Sequence, residues 1–210
     1  MMQIRPIFPI LLSILFGAAC KGRISEDLHP PITASSPIRN PLPVSEAKAY
    51  AQSKGFDTTL CLLIDMGRHS GLKRFFVIDL IHRTVLDSGR VSHGCGTKPW
   101  GRATSRQHPV FSNTPDSHCS SLGHYRIGRR GVSQWGIKVN YLLHGLDSTN
   151  NQALNRFIVL HSWERISEQE IWPYGTTESW GCPAVSNEFM IRLDSVLRDR
   201  EKSVLLWMYR

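Results

Sequence analysis

Short apolar runs rich in Val, Ile, Leu and Phe, bounded by turn-forming residues, recur along this chain from Thr59 onward. Runs of this length and composition predict β-strands. They cover Thr59–Asp65, Arg74–Leu80, Thr84–Val91, His124–Ile127, Ile137–Leu143, Phe157–His161 and Ser203–Tyr209. Two stretches have a different pattern. Val44–Lys54 is helix-compatible, with Ala47, Ala49, Tyr50 and Ala51 followed by Gly55 as a stop. After Ser186, a suitable N-cap, Phe189, Met190, Leu193, Val196 and Leu197 recur at helical spacing. Between Gly94 and Leu122 the chain is rich in Gly, Pro, Ser and Asn, and so long a loop in a compact domain points to function. The pattern predicts a mainly β domain with a few helices over residues 44–210.

The N-terminus does not belong to that pattern. Arg5 precedes an apolar stretch from Ile7 to Phe16, and Gly17-Ala18-Ala19-Cys20 follows. The apolar run is too short to cross a bilayer as a helix and has a signal-peptide layout over residues 1–19. Small residues directly before Cys20 resemble a bacterial lipobox, which implies cleavage there and lipidation of the Cys20 thiol. An ordinary secretory signal and an uncleaved apolar terminus are the alternatives. Pro30, Pro31, Pro37, Pro41 and Pro43 then make residues 20–43 an extended tether. This organisation predicts a periplasmic domain lipid-anchored to a membrane of the cell envelope, with the outer membrane as the expected one.

The formal charge of +8, with Arg126, Arg129 and Arg130 close together, favours anionic partners such as an acidic membrane surface or peptide carboxylates. Solvated surface accounts for most such charges. Nucleic acid is excluded as an expected partner, because an exported chain does not meet it and no binding motif is present. Five cysteines in an exported chain raise the question of disulfides. Cys61 lies inside the run Leu60–Ile64 and reads as a core residue. Cys95 and Cys119 fall in loop sequence, where a disulfide between them is one possibility. A zinc site built from His93, Cys95, His118 and Cys119 matches no established spacing. No metal or cofactor is expected, and the domain is expected to be a monomer.

The chemistry concentrates near the C-terminus. The run Arg156-Phe157-Ile158-Val159-Leu160 delivers His161-Ser162, and Ser179-Trp180-Gly181-Cys182-Pro183 follows. A strand-end histidine and a cysteine in a Gly-Pro turn are what a thiol nucleophile needs, since a cysteine stays mostly thiol until a base or positive charge favours the thiolate. Ser92-His93-Gly94-Cys95 offers a second cysteine. Neither His69 nor His82 ends an apolar run before it as His161 does, so the pattern favours Cys182.

The spacing of His161 from Ser179, Gly181 and Cys182 is similar to the L,D-transpeptidase catalytic domain, in the branch described as the murein L,D-transpeptidase catalytic domain family. Trp180 stands where the better-known pattern has a second histidine, and Pro183-Ala184-Val185 follows the nucleophile, both as in that branch. Supporting similarity runs through Arg74–Leu80, Val91–Gly94, Phe111–Asn113, Ser120–Gly123 and Gly145–Asp147. The resemblance implies a β-sandwich of mixed sheets and acyl transfer on peptidoglycan stem peptides. It implies that Cys182 attacks an L,D peptide bond, that His161 handles the proton, and that a carbonyl near Ser162 orients the ring. Gly181 and Cys182 would offer N–H groups to the oxyanion, and Ser179 would fix the turn or touch substrate. Trp180 would form a wall of the substrate site or simply pack, and His93 would line the cleft or support the long loop by hydrogen bonds. Hydrolysis by the same acyl-enzyme, as a carboxypeptidase or endopeptidase, is the near alternative. A non-catalytic peptidoglycan-binding lipoprotein is the distant one.

Overall fold

The computed structural model describes residues 41–97 and 108–210. The predicted Cys20 anchor, the signal segment and all but the last residues of the tether lie outside the described residues.

Helix α1 is Val44–Lys54 and ends at Gly55, whose φ of +69° is a left-handed cap that a side chain would disfavour. Eight strands follow: β1 Leu60–Asp65, β2 Phe75–Asp79, β3 Thr84–Gly89, β4 Gly123–Val132, β5 Val139–Gly145, β6 Val159–Ser162, β7 Ala184–Val185 and β8 Leu205–Tyr209. A second helix, α2, spans Asn187–Leu197 between β7 and β8. The strands hydrogen-bond in the order β3-β2-β1-β8-β4-β5-β6-β7. The β1–β8 and β6–β7 pairs are parallel and the others antiparallel. The chain is therefore mainly β with mixed pairing and two helices among the described residues.

The two ends of this sheet meet. Beyond β3, Val91 bridges Val185 of β7, and the Ser92 N–H donates to the Ala184 carbonyl at 2.8 Å. The faces expected of a sandwich thus belong to one continuous sheet, curled until it is nearly a barrel. Strand alternation explains the packing. Leu60, Leu62 and Ile64 point inward with Tyr125, Tyr141, Leu160 and Leu206, and α2 adds Phe189, Met190 and Leu193 to that core. Cys61 and Leu63 point outward with Ile78 and Leu205, where Ala47 and Ala51 of α1 cover them. Because β1 is buried on both faces, its sequence is apolar without alternation. Burial pushes the inert Cys61 thiol up to about 12.

The cap of α2 is the one expected. Ser186 Oγ accepts the Phe189 N–H at 3.1 Å and donates to Glu168 Oε2 at 2.5 Å. Replacing Ser186 with alanine should lower stability by about 1 kcal/mol, as for other lost N-caps. Urea denaturation would show this as a lower midpoint at an unchanged slope.

Candidate active site

Ser179 to Cys182 forms a turn just before β7, and its backbone groups, lying outside a strand ladder, find partners elsewhere. The Ser179 N–H donates to the His93 carbonyl and the Cys95 N–H donates to the Ser179 carbonyl, both at 2.9 Å. Ser179 Oγ donates to the Cys182 carbonyl at 2.6 Å and accepts the Gly181 N–H at 3.2 Å. Two serines not singled out from sequence complete the support. Ser92 Oγ donates to the Cys182 carbonyl at 3.1 Å while accepting the Ala184 N–H, and Ser120 Oγ donates to the Gly181 carbonyl at 3.0 Å while accepting the Gly94 N–H. Gly181 has φ +107°, and a Cβ there would lie 2.7 Å from the Cys119 carbonyl oxygen. Both its dihedral and its surroundings exclude a side chain.

His161 sits on β6 opposite Ala184 of the parallel strand β7. Carrying that register back two residues sets Cys182 opposite Val159, whose N–H reaches Cys182 Sγ at 3.5 Å. His161 Nδ1 is 2.9 Å from the Ser162 carbonyl oxygen. Only a donor suits that acceptor, so Nδ1 carries the proton and Nε2 is left with its lone pair. Ser162, fully buried, is itself held by its Oγ accepting the Ile137 N–H at 2.9 Å. His161 is 7% exposed, and burial lowers its pKa from 6.5, with the Ser162 bond and Glu164 working the other way. The imidazole is neutral at neutral pH.

The thiol, like the imidazole, rests neutral. Burial pushes Cys182 above the usual thiol range, while the Val159 N–H and the Arg156 charge pull it down. A thiolate formed in advance by a lowered pKa is therefore not the resting state. The S–H is directed at the Phe157 carbonyl at 3.8 Å, so histidine and thiol stand on neighbouring segments, both neutral and not bonded to each other. Catalytic hydrogen bonds of this kind often tighten only when substrate is bound. Of the two amides proposed for an oxyanion, that of Gly181 is engaged by Ser179 Oγ. The Cys182 N–H donates to no group among the described residues.

Trp180 is 59% exposed and stacks on His118 with ring centroids 4.8 Å apart. His93 is fully buried, and its Nδ1 accepts from Arg74 Nη2 at 2.9 Å. Its place is beneath the turn, where its carbonyl holds Ser179. Cys95 and Cys119 are buried thiols whose S–H groups face the Gly96 and Ser117 carbonyls, each at 3.4 Å. Arg130 is committed to Asp194 of α2 through bonds of 2.7 and 2.9 Å. Among the described residues no three His, Cys, Asp or Glu side chains gather as metal ligands.

Arg156 is the neighbour that sequence did not single out. Its guanidinium reaches the Ser112 and Cys119 carbonyls and the Ser117 and Ser121 hydroxyls. Partners so far away in sequence, and neutral, leave no local pattern to read.

A curled mixed sheet with a histidine strand end beside a cysteine turn defines the class of domain. The sequence matches the L,D-transpeptidase catalytic domain family over residues 42–209, and the chain belongs to that family. Similar solved structures include an L,D-transpeptidase from Xylanimonas cellulosilytica, at 13% identity and a TM-score of 0.40, covering 77% of this chain and 68% of that one. Another is the helical cell shape determining protein Pgp2 from Campylobacter jejuni, at 12% identity and a TM-score of 0.46, covering 78% of this chain. The chain spans 55% of the length of that second structure. No curated protein sequence matches.

Proposed function

We propose that this domain is a cysteine L,D-transpeptidase acting on peptidoglycan stem peptides. The observation that carries the reading is the fixed tautomer of His161, which leaves Nε2 as a proton acceptor on the strand beside Cys182. As Cys182 Sγ attacks the carbonyl carbon of the L,D bond, Nε2 takes the thiol proton. The carbonyl oxygen gains negative charge and accepts from the Cys182 N–H. Collapse breaks the C–N bond, and His161 returns the proton to the departing D-amino acid amine, leaving a thioester. An acceptor amine then attacks the thioester carbonyl, gives its proton to His161, and releases the Cys182 sulfur, which is reprotonated.

The catalytic roles of Cys182 and His161, the oxyanion role of Cys182 N–H and the wall formed by Trp180 all belong to this reading. We place the domain in the periplasm as a monomer, carried on a lipid at Cys20 in the outer membrane. No helix among the described residues is long and apolar enough to cross a membrane.

Mass spectrometry after incubating the full chain in detergent with murein tetrapeptides tests the activity, with Cys182→Ala and Cys95→Ala in parallel. New dimers with loss of a terminal residue, abolished by Cys182→Ala alone, are expected. Shortened stems without dimers would make the enzyme a hydrolase. Unchanged stems beside an active control enzyme would leave a binding role.

A further inference from the structure

The segment Arg156–Val159 encloses the Cys182 thiol from one side. Phe157 takes a left-handed φ of +54°, a strained conformation for a side chain of that size. That turn puts its carbonyl at the S–H and the Val159 N–H at the sulfur. The first residue of the same segment supplies a charge. Arg156 Nη1 donates to the Ser112 carbonyl at 3.0 Å and to Ser121 Oγ at 2.6 Å, and Nη2 donates to the Cys119 carbonyl at 2.5 Å and Ser117 Oγ at 3.4 Å. All four acceptors are neutral, and no ion pair among the described residues involves Arg156. A half-buried guanidinium whose two amino groups bond only neutral acceptors has no carboxylate to offset its charge. What lies beside it is the nucleophile turn. A Cβ built on Gly181 would meet the Cys119 oxygen at 2.7 Å and Arg156 Nη2 at 3.2 Å, so the Arg156–Cys119 bond is the surface on which Gly181 rests.

We propose that Arg156 is a positioning residue for the nucleophile, clamping the Ser112–Ser121 loop against the Gly181–Cys182 turn and setting an uncompensated positive charge beside that turn as the Cys182 sulfur becomes a thiolate. This rests on the reading of Cys182 as nucleophile. The opposing effects on the thiol agree with it, since burial pushes it up while Arg156 pulls it down. The other titratable groups around the turn are His161 on β6 with Glu164 after it, Glu178 before Ser179, His118 against Trp180, and the Cys119 thiol. A cation beside the turn leaves His161 less proton affinity to overcome when it takes the S–H proton.

The test is the rate of Cys182 alkylation by iodoacetamide on the full chain from pH 7 to 12, with peptide mass spectrometry separating Cys182 from Cys61, Cys95 and Cys119. Arg156→Gln is expected to raise the pH midpoint by about one unit, an approximately tenfold loss of thiolate at neutral pH. Arg156→Lys, which keeps the charge and loses the fork, should stay close to wild type. A variant that keeps Arg156 covers the case in which Arg156→Gln does not fold. Ser117→Asp sets a carboxylate against Nη2 and should also move the midpoint upward. A purely structural clamp predicts an unmoved midpoint in folded Arg156→Gln or in Ser117→Asp, and either result overturns the proposal. Alkylation needs no peptidoglycan. A shifted midpoint with no stem-peptide product would therefore overturn the transpeptidase reading and leave this one standing.

Discussion

His161→Ala is expected to slow acylation of Cys182 about 10³-fold, within the range by which a positioned general base accelerates proton transfer. The size follows from the resting state. Burial holds the thiol above its usual range and the imidazole below its own, so both begin neutral and the proton must move during attack. Without Nε2 only the scarce spontaneous thiolate can react. The variant's residual rate should therefore climb with pH, as the thiol ionises without help. The wild type should show a different limb: its rate falls on acidification only below pH 6.5, because burial moves the His161 titration beneath that ordinary value. Single-turnover formation of the acyl-enzyme, followed by intact mass across pH, measures both. Equal pH profiles for wild type and His161→Ala would remove His161 from the proton path.

Arg74→Met should cost about 3 kcal/mol of stability, because it leaves the Val91 and Arg68 carbonyls and His93 Nδ1 without their buried donors. Arg74 is 1% exposed, with Nε and Nη2 donating to the Val91 carbonyl at 3.2 and 2.8 Å and Nη1 to the Arg68 carbonyl at 3.1 Å. Its remaining bond is to His93 Nδ1. Burial pushes the guanidinium down to about 9, opposed by Asp65, which still leaves it charged at neutral pH. Methionine fills part of the volume and satisfies none of those acceptors. Lysine keeps the charge, but one ammonium cannot match a planar fork that serves three residues, so Arg74→Lys should also be destabilised. Urea denaturation measures the loss. Because the His93 carbonyl holds the Ser179 N–H, acylation should fall along with stability. A stable Arg74→Met protein would show that the network is not what holds this edge of the sheet.

Elements whose signal lies in their own side chains were legible. Helix α1 with its Gly55 stop, the doubly buried β1 and the Ser186-capped α2 appear where local pattern places them. The outer half of β4 was not. Gly128–Val132 is polar and mostly exposed, and it is held as strand by backbone pairing to β5 beyond a bulge between Ile127 and Arg130. Phe157, read as strand, is 82% exposed in a left-handed turn, because the run's apolar character does not report the backbone dihedral.

The same division holds at the candidate site. By itself the sequence determined which residues carry reactive groups, a strand-end histidine and a cysteine on a glycine turn, since residue type and short-range spacing are local properties. Only the tertiary structure decided how those groups are charged and held. Sheet closure brings Ser92 and Ser120 under the turn, buries His93 on Arg74, and sets Arg156 beside Gly181. Desolvation and hydrogen bonding depend on what the folded chain packs against each group. That depends on contacts between residues far apart in sequence, which no local pattern encodes.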